Sequence, residues 1–73
     1  MNDAFNADLA EVMQVEPAAI TADYALDGDG LWDSMAIVSA LALIDEHFDK
    51  TVDSARLGEC DTVGEIYRLI ESS

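Results

Sequence analysis

The sequence predicts an all-α fold: a four-helix bundle with a long loop between the first two helices and a short third helix. Several segments carry apolar residues at helical spacing, and no stretch alternates apolar and polar residues as a half-buried strand would. A chain of 73 residues has room for one small core. We therefore expect residues 1–73 to fold as a single domain.

The first helix is predicted to run from Asn2, which suits an N-cap, to about Gln14. Its apolar residues fall at positions i, i+4, i+7 and i+8 and form one stripe: Phe5, Leu9, Val12 and Met13. Residues 15–32 form a long connection, in which Pro17 can open a short turn and residues 27–30 (Asp-Gly-Asp-Gly) are typical of a turn. Three residues of this connection are spaced to reach the core: Ile20, Tyr24 and Leu26.

The second helix is predicted to begin at Asp33 or Ser34, since both are good N-caps, and to run to about Phe48. Its apolar residues cover more than one face: Met35, Ile37, Val38, Leu41, Leu43, Ile44 and Phe48. A helix that is apolar on several sides either packs on several sides or presents an apolar strip to a partner. We expect it to be the central helix of the bundle.

Two shorter helices are predicted after it. A turn of helix over residues 53–57 would be stopped by Gly58 as its C-cap. Thr62 and Glu65 fit a capping box that opens the last helix, predicted over residues 63–70. The apolar stripe of this last helix consists of Val63, Ile66, Tyr67 and Ile70.

Sixteen acidic residues against three basic ones give a net charge of −13. Such a field repels nucleic acid and anionic membranes and speeds encounter with basic partner surfaces, although the acids would also serve solubility alone. The longest apolar run, residues 35–44, is broken only by Ser39 and is far shorter than the roughly 20 residues that span a bilayer. The acidic N-terminus is unlike a signal peptide. We expect a cytoplasmic monomer that neither binds nucleic acid nor inserts into membranes.

Asp33-Ser34-Met35 stands where the polar loop turns into the central helix. A serine at a helix N-terminus is commonly a cap, and the alternative is an exposed hydroxyl that another enzyme modifies. The free N–H groups and the positive dipole end at a helix N-terminus favour a phosphate there. In that case Asp33 would hydrogen-bond the local backbone or help to bind a metal during the modification.

The chain resembles the acyl carrier protein family over nearly its whole length. The family pattern places Asp-Ser-Leu before a central helix with acids, and Thr-Val at the start of a fourth helix; here Asp33-Ser34-Met35 and Thr62-Val63 stand at those places. The resemblance implies the four-helix carrier fold, with a 4′-phosphopantetheine arm from coenzyme A attached to Ser34. It also implies that the protein catalyses nothing itself. Its partners would be phosphopantetheinyl transferase and enzymes that load or transfer acyl or aminoacyl groups as thioesters.

Two departures from the family pattern bear on the cargo. Met35 replaces the usual Leu, a change that conserves volume. Residues 36–40 are uncharged where fatty-acid carriers have more acids, which favours a specialised lipid or secondary-metabolite pathway, such as polyketide synthesis, over housekeeping fatty acid synthesis. Residues 30–34 (Gly-Leu-Trp-Asp-Ser) also resemble D-alanyl carriers, so an aminoacyl or peptidyl cargo remains an alternative. An unmodified acidic interaction module is the alternative of another class.

The remaining candidates concern partners, metals and reactive groups. We predict a partner surface on and near the central helix, formed by Trp32, Val38, Leu41, Ala42, Asp45 and Glu46. Residues 27–30 suggest calcium, but either EF-hand register lacks essential ligands, so no metal site is predicted. We expect His47 to be solvated or to interact with the helix dipole rather than to act as a catalytic base, and Cys60 to be a small core residue.

Overall fold

The computed structural model describes residues 2–26 and 32–73, so the predicted turn at residues 27–30 lies outside the described residues. Within them the chain is mostly helical, which confirms the predicted all-α fold with its long first loop and short third helix. The elements are α1 (Asp3–Met13), a 3₁₀ turn (Pro17–Ala19), α2 (Ser34–Phe48), α3 (Ser54–Gly58) and α4 (Val63–Glu71).

Side-chain caps fix where the first and last helices begin. The Asn2 side-chain oxygen accepts a hydrogen bond from the Phe5 N–H at 2.9 Å. At the start of α4 the Thr62 hydroxyl accepts from the Glu65 N–H at 3.4 Å, and the Glu65 carboxylate accepts from the Thr62 N–H at 3.0 Å. Both predicted caps are therefore confirmed, and each such cap is worth about 1 kcal/mol of helix stability.

The predicted end of α3 is wrong. Gly58 is the last residue of this helix, and its C-cap is Glu59, whose φ of −83° is right-handed. No left-handed residue is needed here, so glycine is not required for its backbone freedom. By contrast α1 ends at Met13, followed by Gln14 as a left-handed C-cap with φ 58°.

The core is built from the helices and from the loop that follows α1. In this loop Ile20 and Leu26 are buried and Tyr24 is half-buried, which confirms the predicted core contacts of the segment. The central place predicted for α2 is also confirmed, because it packs against both α1 and α3. The side chains without exposed surface include Phe5, Leu9, Met13, Leu26, Ala40, Ile44, Leu57, Val63 and Ile66.

Backbone hydrogen bonds hold the first loop against the start of α4. Gly64 allows the closest approach, because a Cβ atom on it would lie 3.0 Å from the carbonyl oxygen of Ala22. Three hydrogen bonds connect the two segments. The Leu26 N–H donates to the Asp61 carbonyl oxygen at 2.8 Å, the Val63 N–H to that of Tyr24 at 3.2 Å, and the Gly64 N–H to that of Ala22 at 2.9 Å. The loop is thereby positioned so that its apolar residues reach the core.

An aromatic cluster joins α1, α2 and α4. The ring of Phe5 meets those of His47, Phe48 and Tyr67 edge to face, with centroids 5.9, 5.2 and 5.7 Å apart. Such pairs add about 0.5–1.5 kcal/mol each beyond the area they bury. The Tyr67 hydroxyl also donates to the buried Asn6 side-chain oxygen at 2.5 Å, which satisfies a polar group inside the cluster.

Candidate functional site

The start of α2 assigns different tasks to Asp33 and Ser34. Asp33 is the N-cap, and its Oδ1 accepts a hydrogen bond from the Ala36 N–H at 2.9 Å. Ser34 is the first residue of the helix, and its side chain is exposed. Among the described residues no hydrogen bond engages the Ser34 hydroxyl. The cap is thus supplied by the aspartate, and the serine hydroxyl is left accessible for chemistry.

The backbone at this point favours a negative group. The N–H groups of Ser34 and Met35 lie in the first turn of α2, where no carbonyl of the same helix can accept from them. They add to the positive end of the dipole of a helix of 15 residues. A phosphate linked to the Ser34 hydroxyl would therefore be stabilised by the helix that presents it.

Two surface clefts adjoin the first turn of α2. The first, of about 290 Å³, lies between α2 and α3 and is lined by Ser34, Ile37, Val38, Ser54 and Ala55. The second, also of about 290 Å³, lies towards the end of α1 and is lined by Val12, Gln14, Asp33, Met35, Ala36 and Ser39. A group attached to Ser34 would begin at the mouth of the first cleft, which offers both hydroxyl and apolar contacts.

The exposed surface of α2 changes in character along the helix. Near its start Met35 and Val38 are 79% and 64% exposed, the two exposed large apolar side chains among the described residues. Ala42 is exposed further along, and the exposed acids Asp45 and Glu46 follow towards the end. The helix thus presents an apolar surface beside Ser34 and a negative one distant from it.

Trp32 and Leu41 take a different position from the other residues predicted to contact partners. Both are half-buried and pack against the hydrophobic core. They therefore support the fold as well as bordering the exposed surface of α2. Sequence spacing alone does not tell a core residue from a partner contact here, because a side chain at the edge of an apolar stripe can face either the core or the solvent.

The sequence does not single out Ser54 and Ala55, which form the α3 wall of the first cleft. The signal near them is Asp53, whose Oδ1 accepts from the Ala55 N–H at 2.8 Å and fixes the start of α3. This cap is visible in the sequence, but the side of α3 that faces α2 is not. Two small residues directly after a capping residue were the available hint.

Cys60 is buried, as predicted, with 8% of its surface exposed. Burial raises the pKa of its thiol above the ordinary value, and the carboxylates of Glu65, Asp61 and Glu59 raise the pKa further. Its Sγ lies 3.5 Å from the Arg56 carbonyl oxygen, to which the thiol donates. The thiol is therefore held protonated, and it is a poor nucleophile at neutral pH.

Of the two alternatives predicted for His47, a solvated side chain is wrong, because only 17% of the side chain is exposed, whereas its place in the last turn of α2 fits an interaction with the helix dipole. His47 lies in the last turn of α2, and its Nε2 is 2.7 Å from Oδ2 of Asp8 on α1. The contact joins two helices and lies in the aromatic cluster, so it has a structural explanation. Nothing in it points to a catalytic base.

The described residues contain no group of three or more His, Cys, Asp or Glu side chains arranged to hold a metal ion. The Asp-Gly-Asp-Gly segment that suggested calcium lies outside the described ranges. In residues 2–26 and 32–73 no helix has the length and apolar character needed to cross a membrane.

Comparison with known proteins identifies the family. The sequence model of the family described as phosphopantetheine attachment site matches residues 4–70, nearly the whole chain. No curated protein and no solved structure matches the chain.

A mostly helical domain of this family is a carrier that holds a prosthetic arm, and it is not a catalytic domain. The chain belongs to the phosphopantetheine attachment site family, which confirms the resemblance to carriers such as acyl carrier proteins. Members of the family bear 4′-phosphopantetheine covalently on a serine, and they interact with enzymes that include phosphopantetheinyl transferase. The surroundings of Ser34 fit such a group, because its hydroxyl is exposed, helix N–H groups lie beside it and a cleft adjoins it.

Proposed function

We propose that the protein is an acyl carrier in which Ser34 bears the 4′-phosphopantetheine arm. The observation that carries this proposal is that Asp33 caps α2 while the Ser34 hydroxyl is exposed at the first helical position. When bound, the arm supplies a terminal thiol that holds an acyl group as a thioester. The protein positions that thiol and presents it, and partner enzymes perform the chemistry.

Attachment of the arm uses one oxygen of this chain. The Ser34 Oγ forms a bond to the phosphorus of coenzyme A that is nearer to the pantetheine. The bridging P–O bond of the pyrophosphate breaks, adenosine 3′,5′-bisphosphate leaves, and the serine proton passes to a base on the transferase. The first N–H groups of α2 then stabilise the negative charge of the phosphodiester.

Partner recognition is assigned to the surface of α2 and its edge. The exposed apolar part, Val38 and Ala42 with Leu41 and Trp32 beside them, would contact a partner once it is docked. The exposed Asp45 and Glu46 would steer basic partner surfaces towards the carrier, in line with the net charge of −13. Steering and docking are thus divided along one helix.

The uncharged first half of α2 favours a specialised lipid or secondary-metabolite pathway over housekeeping fatty acid synthesis. The alternative cargo is an aminoacyl or peptidyl group, for which the resemblance of residues 30–34 to D-alanyl carriers is the reason. We propose that the protein acts as a single-domain monomer in the cytoplasm, where coenzyme A and its transferase are present.

The test is the intact mass of the protein after incubation with coenzyme A and a broad-specificity phosphopantetheinyl transferase. Ser34→Ala is the decisive variant, and Ser39→Ala, a second exposed serine of α2, is its matched control. We expect one arm on the wild type and on Ser39→Ala, and none on Ser34→Ala. Modification of the Ser34→Ala variant would show that the arm is attached to another residue. A folded wild type that stays unmodified, while a known carrier is modified, would leave the acidic interaction module as the function.

A further inference from the structure

Met35 is the most exposed of the large apolar side chains in residues 2–26 and 32–73. Water reaches 79% of its surface, and the other exposed large apolar side chain in these ranges, Val38, is 64% exposed. The two differ in chemistry, because only methionine carries a thioether sulfur that mild oxidants attack. The sulfur of Met35 is therefore open to an oxidant in solution.

Met35 directly follows Ser34 in the first turn of α2. Consecutive Cα atoms are about 3.8 Å apart, and successive residues of a helix turn by about 100° around its axis. Ser34 accordingly lines the first cleft, towards α3, whereas Met35 lines the second cleft, towards the end of α1. An enzyme whose active site encloses the Ser34 hydroxyl has to cover this turn, so it meets the Met35 side chain.

The other sulfur atoms of the described residues are protected from oxidants. Met13 has no exposed surface and belongs to the hydrophobic core. Cys60 is 8% exposed, and its raised pKa keeps the thiol protonated, whereas oxidants react with the thiolate. Met1, the third methionine of the chain, lies outside the described residues. Within the described ranges Met35 is thus the sulfur that an oxidant reaches most readily.

We propose that Met35 is an oxidation site and that its sulfoxide slows the attachment of the arm to Ser34. A peroxide transfers one oxygen atom to Sδ: the O–O bond breaks, the S–O bond forms, and hydrogen peroxide leaves as water. The sulfur loses two electrons and the peroxide gains them. The apolar thioether becomes a polar group, which weakens the contact of this side chain with an apolar partner surface.

The modification is reversible. A methionine sulfoxide reductase removes the oxygen as water while a dithiol is oxidised to a disulfide. Leucine, the usual residue of the family pattern at this position, has no sulfur and cannot be oxidised in this way. Met35 therefore gives this chain a sensitivity to peroxide that leucine would not. The proposal rests on the proposed function, because its effect is on the loading of Ser34.

The test measures how peroxide treatment changes loading. The protein without its arm is treated with hydrogen peroxide, the peroxide is removed with catalase, and initial rates of loading from coenzyme A by the transferase give kcat/KM. Fragmentation in the mass spectrometer assigns each added oxygen to Met1, Met13 or Met35. Urea denaturation of the same samples measures the free energy of unfolding. Each rate is compared with that of the untreated protein of the same sequence.

Two variants separate Met35 from the other sulfur atoms. Met35→Leu is the matched control, because it conserves the apolar volume and leaves Met1, Met13 and Cys60 in place. Met35→Gln places a polar group of similar length at the site without any oxidant. Both changes are at an exposed side chain, so both variants should fold.

In the wild type we expect oxygen on Met35 before Met13, and kcat/KM about tenfold lower once Met35 is oxidised, because the docked side chain has become polar. The free energy of unfolding should not change, and the reductase should restore the rate. Peroxide should not slow Met35→Leu relative to its untreated form. Met35→Gln should load as slowly as the oxidised wild type without any peroxide.

An undiminished rate with Met35 fully oxidised would overturn the proposal. An equal loss in Met35→Leu would assign the effect to another residue and overturn it as well, and oxidation of Met13 ahead of Met35 would contradict the exposure on which it depends. If the untreated wild type is not loaded while a known carrier is, the proposed function fails and this proposal with it. That failure is seen before any peroxide is added, so the two failures are distinguishable.

Discussion

His47 and Asp8 form a hydrogen bond between α2 and α1, with Nε2 and Oδ2 2.7 Å apart. The imidazole is largely buried, with 17% of its side chain exposed, whereas 45% of the Asp8 side chain is exposed. The ring of His47 also packs edge to face on Phe5. The contact fixes the last turn of α2 against α1, so it stabilises the helix that presents Ser34.

Loss of the Asp8 carboxylate should therefore destabilise the protein. We expect Asp8→Asn to lower the free energy of unfolding by about 0.5–1 kcal/mol, as for a partly exposed pair of this kind. Urea denaturation measures the change. Glu11→Gln is the matched control, because it removes one negative charge from an exposed position of the same helix. Equal stability of the two variants would contradict a specific role for Asp8.

Gly64 is required by the approach of the first loop to α4. A Cβ atom there would lie 3.0 Å from the Ala22 carbonyl oxygen, which is backbone and cannot turn away. We expect Gly64→Ala to lower the free energy of unfolding by about 1–3 kcal/mol, although alanine is the better helix former by about 1 kcal/mol. Gly58→Ala should cost less, because the end of the Ile37 side chain can shift. Urea denaturation measures the free energy of unfolding of both variants. A Gly64→Ala variant as stable as the wild type would refute the prediction.

Much of the fold could be predicted because its signals are local. The Asn2 cap and the Thr62–Glu65 capping box lie within three residues of the groups they satisfy, so the sequence places them directly. Ser34 could be singled out for the same reason, since an Asp-Ser pair stands just before an apolar helical run. Which of the two residues caps the helix was open, and the Asp33–Ala36 hydrogen bond decides it.

The contacts that could not be predicted join residues far apart in the sequence. Asp8 and His47 are 39 positions apart and meet only once α1 and α2 have packed. Gly58 is a residue type typical of C-caps, but in the structure it is the last residue of α3, and its lack of a side chain leaves room for the end of the Ile37 side chain. Helical periodicity tells which side of a helix is apolar and not which residue of another helix lies against it. The contacts between helices therefore required the structure.

Tyr67 makes stability depend on pH in the alkaline range. Burial raises the pKa of its phenol above the ordinary 10.0, the nearby Asp3 carboxylate raises it slightly, and a backbone hydrogen bond with Asn2 lowers it. The folded protein then holds this proton more tightly than the unfolded chain. Its contribution to stability is complete below the unfolded pKa and is lost as the pH rises through the folded pKa.

We expect the free energy of unfolding to fall more steeply above about pH 10 in the wild type than in Tyr67→Phe. Urea denaturation of both proteins across this range measures the two slopes. Cys60 has a raised pKa too, but it titrates in both proteins and does not affect the difference. Parallel slopes would show that Tyr67 does not contribute to the dependence on pH.

Asp45 and Glu46 are the acids to which the steering of partners is assigned. Replacing both with Lys changes the net charge from −13 to −9, two charges for each residue. We expect kcat/KM of the transferase towards this variant to fall about tenfold at low salt, and its dependence on salt to flatten. Initial rates over a range of salt concentrations measure both effects.

The control for this charge reversal is Glu11→Lys with Glu16→Lys, which gives the same net charge through two exposed acids outside α2. An equal loss in both double variants would mean that total charge steers the transferase, and unchanged rates in the α2 variant would remove the steering role of Asp45 and Glu46. Unfolding does not explain a loss, because Lys near the C-terminal end of α2 interacts more favourably with the helix dipole than an acid does. A slower reaction of the α2 variant alone would therefore report recognition of the end of α2 by the partner.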